Sequence, residues 1–339
     1  MKLFVTGGCG FLGSNLVAEG IRRGDQVLAI DNLSRAGATN NLEWLRSCGE
    51  FTFQHVDTRQ FSDLEQVVQS FRPDCVFHLA GQVAMTTSLS NPRADFEINT
   101  VGGHNLLEAV RRWAPEAHII YSSTNKVYGS LDQVRIREAA TRYVADGYDH
   151  GFDEQLNLDF QSPYGCSKGA IDQYMLDYHR MFGMRTTVFR HSSVFGIRQY
   201  GTIDQGWIGW FLQQALLTQQ NPAHRFTICG DGKQVRDVLF SQDLVSCYFR
   251  AVEAGSVTAG QVFNIGGGMP NSLSLVELFS FLDDELGVRL QYDHLPWRQS
   301  DQRVFVADIR KAERLFGWQP ATSFTSGLKA ALAWSRAEV

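Results

Sequence analysis

The chain lacks most of the features that would assign it to a membrane, a metal site or a nucleic acid. No run approaches the roughly 18 apolar residues of a bilayer-spanning helix. The N-terminus carries no charged-then-apolar leader, and Met1 leads almost directly into an apolar run, so a cytoplasmic chain with nothing to cleave is expected. Cysteine is sparse: Cys9, Cys48, Cys75, Cys166, Cys229 and Cys247 are scattered without a CxxC pair, which predicts reduced thiols rather than disulfides. The 9 histidines show no HExxH or comparable spacing, and no metal is expected. Basic residues are outnumbered, 31 against 36 acidic, and the net charge of −5 leaves no basic face for nucleic acid. No internal repeat or low-complexity segment appears. What remains is 339 residues at 44% hydrophobic and 20% charged, ordinary for a soluble enzyme with one large α/β domain and a smaller one.

Lys2-Leu3-Phe4-Val5-Thr6 reads as a short buried strand, and Gly7-Gly8-Cys9-Gly10-Phe11-Leu12-Gly13 follows it at once. Glycines at spacing three force a tight turn into a helix that runs to about Arg23. Gly reaches backbone angles closed to other residues, and its missing Cβ admits a ligand to the amides. The helix N-terminus offers unpaired N–H groups and a positive dipole end, a seat for a pyrophosphate. Alone, such a pattern also occurs in ordinary turns. The next predicted strand, 26–31, ends in Asp31, 18 residues beyond Gly13, close to the separation at which a carboxylate binds the adenosine ribose of a dinucleotide. A carboxylate there repels the 2′-phosphate of NADP, which favours NAD.

Further strands are predicted at 51–57, 75–80, 117–123 and 185–194, alternating with helices at 61–71 and 95–113. Asp57 closes the third strand and offers an acceptor for the adenine amino group. His78 lies inside an apolar strand, which points to core packing. Alternation of strands and helices implies a doubly wound parallel sheet of the Rossmann type, with ligands at the carboxyl ends of the strands. A polar excursion over 129–161 precedes Ser162-Pro163, a favoured helix start. Beyond Gly196 the alternation weakens. Helices near 200–220, 244–254, 274–286, 309–316 and 326–336, with strands at 226–229, 235–240, 261–265 and 289–292, suggest a mixed α/β cap. The expected division is a dinucleotide-binding domain over 1–188, revisited at about 234–255 and 304–312, with 189–233, 256–303 and 313–339 forming the cap.

Tyr164-Gly165-Cys166-Ser167-Lys168 puts a phenol and an ammonium four residues apart on one helix face. A neighbouring Lys⁺ favours phenolate over phenol, which a base that deprotonates a hydroxyl needs near neutral pH. Tyr121-Ser122-Ser123-Thr124-Asn125-Lys126-Val127-Tyr128-Gly129 closes the fifth strand. Thr124 is the hydroxyl best placed to bond the oxygen that Tyr164 deprotonates, while Ser122 or Ser123 can simply cap the strand end.

These residues together resemble the extended short-chain dehydrogenase/reductase family acting on nucleotide sugars, over essentially the whole chain. The carriers are Gly7/Gly10/Gly13, Asp31, Asp57, the Ser-Ser-Thr stretch and Tyr164/Lys168, with later agreement at 230–237, 307–311 and 315–320. The resemblance implies a tightly held NAD, hydride removal from a sugar carbinol and a keto-sugar intermediate. It places the cofactor on Gly7, Gly10, Phe11, Leu12, Gly13, Asp31, Asn32, Ser34, Arg35, Asp57, Leu79, Ala80, Gln82, Asn99, Ser122, Tyr164, Lys168 and His191. In the 4,6-dehydratase branch the segment before Val-Tyr-Gly typically reads Thr-Asp-Glu, and the acids drive loss of water. Asn125 and Lys126 cannot act as that pair. Residues 81–88, 122–129, 162–168, 189–193, 204–207 and 300–308 closely resemble the branch that inverts carbon 2 of CDP-hexoses, implying conversion of CDP-paratose to CDP-tyvelose with NAD regenerated at each turnover. Thr124, Asn125, Ser193, Arg198, Arg236, Arg298 and Asp301 are then the substrate-side candidates: arginines for the diphosphate, Asp301 for the ribose, and Ser193 where many relatives place asparagine. Family habit implies a homodimer or homotetramer built from the helices at 95–113 and 163–182. A UDP-sugar 4-epimerase shares the cofactor site and the Tyr/Lys base and is the alternative. A non-catalytic NAD-responsive binding protein is a more remote one, since it could dispense with Tyr164 and Lys168.

Overall fold

The computed structural model describes residues 1–298 and 301–338; Ser300, which opens the last of the resembling segments, and Val339 lie outside them. Seven parallel strands form the main sheet, in the order Gln261–Ile265, Arg185–His191, His118–Thr124, Cys75–His78, Lys2–Thr6, Gln26–Asp31, Thr52–His55. Leu3, Phe4 and Val5 are all fully buried, as a parallel strand covered on both faces requires. Leu3 and Val5 enter one core with Val17, Phe189 and Phe263, while Phe4 enters the opposite core with Val76, Leu106 and Ile119. The chain reverses direction along the sheet at Lys2–Thr6, which pairs with both the second and fourth strands. That reversal opens a crevice at the strands' carboxyl ends, the usual place for a ligand in such sheets.

A second layer closes the crevice. Ser193–Phe195, Val235–Phe240, Ser272–Ser274 and Val304–Phe305 make a small mixed sheet, and Arg225–Cys229 pairs in parallel with Gln291–Leu295. Helices Trp207–Gln220, Leu275–Leu286 and Phe324–Glu338 cover them, packing Phe211, Phe226, Phe279 and Leu328 into one core. The polar excursion carries a ribbon, Ile136–Glu138 against Tyr143–Ala145.

Three expectations about the layout are corrected. Gln261–Ile265, assigned to the cap, is the edge strand of the main sheet, paired with Arg185–His191. Val235–Phe240 and Val304–Phe305, assigned to returns to the main domain, lie in the cap sheet. The returns are made instead by helix Ser241–Glu253 and by Arg310–Phe316, whose Leu244, Tyr248 and Ala312 join the main core. The predicted strand over 185–194 ends at His191. Ser192 donates to the Asp237 carbonyl at 3.2 Å, and Ser193–Phe195 then pairs with the cap strand, so the chain changes sheets there. The helix expected over 95–113 begins at Pro92 and contains a π turn, Glu97–Val101, and the loop before it holds a short helix, Met85–Ser90. No helix among the described residues is long and apolar enough to cross a membrane.

Candidate active site

The glycine turn is a cradle that a side chain would fill. Gly7 adopts φ +68°, and a Cβ there would lie 2.7 Å from the Ala80 nitrogen. On Gly13 it would lie 2.0 Å from the Gly7 carbonyl oxygen. Gly10 caps helix Phe11–Arg22 without any side-chain hydrogen bond, and the first turn holds no acid. Its N–H groups therefore face the crevice unpaired, which fits a pyrophosphate. Asp31 accepts from the Cys9 N–H at 3.0 Å and the Leu33 N–H at 2.8 Å. Burial pushes its carboxyl up, and those N–H groups pull it back. Asp57 is held down to about 2 by the Arg59 guanidinium at 2.7 Å, and also accepts from Asn32 at 2.9 Å.

These groups line one continuous cleft of about 520 Å³. Of the residues the sequence singled out, Gly7, Gly10, Phe11, Leu12, Gly13, Asp31, Asn32, Ser34, Arg35, Asp57, Leu79, Ala80, Gln82, Ser122, Thr124, Asn125, Tyr164, His191, Ser193 and Arg198 lie along it. Asn41 Oδ1 and Gln199 Oε1, on two further lining residues, are buried without a partner among the described residues, so the cleft wall holds acceptors to spare. The fit to a dinucleotide is good: a bare helix N-terminus, a buried carboxylate at the end of the second strand and a glycine cradle occupy one groove.

At the cleft's far end, Tyr164 stands in the first turn of helix Ser162–Phe182, above the end of strand His118–Thr124. Burial pushes its phenol up to about 12, while a hydrogen bond with the Thr124 hydroxyl pulls down. Lys168, one turn on, is pushed down to about 7 by burial, against the pull of Asp95 and Asp172. Among the chain's own groups burial thus outweighs the lysine's expected effect on the tyrosine. Lys168 does not line the cleft but sits one layer behind, its ammonium 4.4 Å from the Tyr121 ring centre. Asn99 is likewise behind the wall. It receives the Gln82 N–H at 2.8 Å and donates to Ser167 at 2.9 Å, so it braces the site instead of lining it. His191 faces Ser122 at 3.2 Å, and burial drives its ring down to about 3, so it is neutral. His78 is a core residue, bonded to Thr6 at 2.7 Å.

The cap-side candidates separate into two groups. Ser193 accepts from the Trp207 indole at 3.0 Å and Arg198 stacks on Trp44 at 4.5 Å, both on the cleft wall. Arg236, Arg298 and Asp301 do not line it. Asp301 instead receives Lys126 at 3.0 Å and Arg236 at 2.7 Å. Burial alone would push Asp301 up, but those two cations hold it down to about 2. Arg298 donates to the Ile203 carbonyl at 3.3 Å. Sequence reading missed Gln302, which is fully buried; it accepts from Asn125 at 2.9 Å and donates to the Gly129 carbonyl at 2.7 Å. It also missed Asp95, bonded to Ser167 at 2.5 Å. Neither residue carries a local signal, since each finds its partner tens of residues away.

Fold and site define a class: a Rossmann-type protein whose dinucleotide groove ends on a buried Tyr/Lys/Thr constellation, as in the short-chain dehydrogenase/reductases. The chain belongs to the family described as GDP-mannose 4,6 dehydratase, whose model matches residues 4–331. It is 53% identical over 335 residues to a Salmonella typhi protein named CDP-paratose 2-epimerase, across 99% of each chain. Among solved structures it resembles UDP-glucuronic acid 4-epimerase from Bacillus cereus in complex with UDP-glucuronic acid and NAD, with a TM-score of 0.85 and 26% identity over 100% of both chains. It also resembles UDP-glucose 4-epimerase with UDP-glucose from Thermotoga maritima, with a TM-score of 0.84 and 30% identity over 100% of this chain and 99% of that one.

Proposed function

We propose that the protein is a nucleotide-sugar epimerase that inverts carbon 2 of a CDP-hexose, interconverting CDP-paratose and CDP-tyvelose with bound NAD. The observation that carries this reading is the full-length likeness to the protein named CDP-paratose 2-epimerase. Asn125 and Lys126 support it, because an amide engaged with Gln302 and an ammonium engaged with Asp301 leave no acid/base pair for dehydration.

The uncapped N–H groups at Phe11 and Leu12 would hold the pyrophosphate and Asp31 the adenosine ribose, with Asn32, Ser34, Arg35 and Asp57 at the adenine end. Leu79, Ala80, Gln82, Ser122 and His191 would line the nicotinamide end. When bound, NAD supplies the hydride acceptor for carbon 2 and a positive charge near the base. Tyr164 takes the proton of the carbon 2 hydroxyl, Thr124 bonds the same oxygen, and Tyr164 returns the proton once the sugar has turned its other face. Lys168 contributes charge from behind. Turning requires that the nucleotide be gripped and the sugar left loose. Arg198 and Ser193 on the wall suit the diphosphate through charge-assisted bonds, while Arg236, Arg298 and Asp301 stand behind it, Asp301 engaged by Lys126 and Arg236.

The active form is a homodimer or homotetramer. Helix Ser162–Phe182 leaves Tyr174, Met181 and Phe182 exposed, and Leu89 and Phe96 on its neighbours are exposed too. These side chains would be covered by a second copy. A cytoplasmic location agrees with an intracellular nucleotide-sugar supply. The test is to incubate the protein separately with CDP-paratose and UDP-galactose and follow each by NMR. Conversion of the CDP sugar alone is expected; conversion of the UDP sugar alone would overturn the reading in favour of a 4-epimerase.

A further inference from the structure

Lys168 is 3% exposed, and few of the groups around it can balance its charge. His78 and His191 close the strands on either side of His118–Thr124, and burial, then the Lys168 charge, drives both rings down to about 3, so they are neutral. The Tyr121 ring presents its face, and burial keeps its phenol protonated. Tyr164 stands one turn earlier on the same helix, with its phenol also pushed up. Asp172, one turn later, is already claimed: Arg190 grips it with two bonds of 2.9 and 2.8 Å, and Ser123 adds a third at 2.7 Å.

That leaves Asp95, from the short helix Pro92–Phe96. It is 1% exposed. Its donors are the Ser167 hydroxyl at 2.5 Å and the amides of Gln82 at 3.0 Å and Asn99 at 3.3 Å. All three are neutral, and no ion pair involves Asp95 among the described residues. Ser167 adjoins Lys168 in sequence, and Asn99 sits on the π turn Glu97–Val101, so the carboxylate is fixed relative to the catalytic helix. A buried charge held only by neutral donors is costly unless an opposite charge faces it.

We propose that Asp95 is a positioning residue of the active site: clamped by Ser167, Gln82 and Asn99, it supplies the unclaimed negative charge that keeps Lys168 protonated behind Tyr164. The proposal rests on reading Tyr164 and Lys168 as the catalytic pair. Asp95 also acts on Tyr164 directly, disfavouring the phenolate, so turnover alone does not report the role. The titration of the lysine does. Without the carboxylate, Lys168 loses its proton at lower pH.

The holoenzyme is labelled with [ε-¹³C]lysine, the Lys168 signal is assigned by its loss in Lys168→Met, and its chemical shift is followed against pH. Asp95→Asn keeps the shape of the side chain, and Asp95→Ser is a second neutral variant should the amide disturb folding. A melting curve and the bound NAD content confirm that each variant is intact. Both variants are expected to move the Lys168 midpoint down by about one unit or more. An unchanged or raised midpoint in a folded variant would overturn the proposal. The titration needs no substrate, so it stands apart from the epimerase reading, which fails instead if the wild-type protein turns over no CDP-hexose.

Discussion

Replacing Gly13 with alanine tests whether the opening turn is built for a bound dinucleotide. Gly13 lies inside helix Phe11–Arg22, outside the positive-φ glycines, so alanine meets no conformational penalty. It would even gain about 1 kcal/mol of helix propensity. The obstacle is steric. The new Cβ would lie 2.0 Å from the Gly7 carbonyl oxygen, 2.8 Å from its carbon and 2.9 Å from Gly8 Cα. All three are backbone atoms and cannot rotate away. Restoring an ordinary 3.4 Å contact moves helix and turn apart by about 1.4 Å. Overpacking of this kind costs about 1–3 kcal/mol. The larger effect falls on the ligand, because the shift carries the first-turn N–H groups off the pyrophosphate. Losing two charge-assisted bonds at about 1.5–3 kcal/mol each lowers NAD affinity by two to four powers of ten. The assay is NAD released per subunit on denaturation of the purified protein, read beside the Tm with and without added NAD. Gly10→Ala is the control, since its Cβ would meet only the Gly7 oxygen at 3.3 Å and the fold should stand. A Gly13→Ala protein that keeps wild-type NAD content would refute the reasoning.

Three more outcomes are expected. Tyr164→Phe should retain NAD and bind CDP, yet lose about a thousandfold in kcat or more, within the range of a lost general base and its hydrogen bond; substantial residual turnover would remove Tyr164 from its role. Asp237 is fully buried, and burial raises its carboxyl to about 6. The folded state therefore holds its proton longer than the unfolded chain, and stability falls as pH rises from about 4 to 6. The penalty reaches roughly 3 kcal/mol at neutral pH. Asp237→Asn should flatten that part of the Tm–pH curve, and an unchanged curve would contradict the assignment. The double variant Asn125→Asp/Lys126→Glu should produce no dehydrated sugar by NMR. It should also lower the Tm and weaken CDP binding in calorimetry. The new carboxylate at position 126 would face Asp301, and the one at position 125 would face the side-chain oxygen of Gln302.

What the sequence disclosed was local. The glycine turn, Asp31 and the Tyr164/Lys168 spacing each fit within one strand-turn-helix or one helical turn, and the structure brings the turn, Asp31 and Tyr164 to one cleft with Lys168 behind its wall. What it hid was pairing across distance. Gln261–Ile265 is a short apolar run whose partner, Arg185–His191, lies far away in sequence, so nothing local tells an edge of the main sheet from a cap strand. The change of sheet at Ser192 is invisible for the same reason: nothing in Arg190-His191-Ser192-Ser193 tells which strand the chain pairs with next. Asp301 was expected to face a ribose, but Lys126 and Arg236 hold its carboxylate. The lysine's influence on Tyr164 was overstated, because helical spacing gives proximity and not burial. Both groups are buried, and desolvation moves each further than the other does.

The central claim is that carbon 2 is inverted by returning to it the hydride that was taken from it. Running the reaction on CDP-paratose in D₂O and recording the product by NMR tests this most directly. The account predicts CDP-tyvelose with protium retained at carbon 2. Deuterium at carbon 2, or no inversion of the CDP sugar at all, would contradict it.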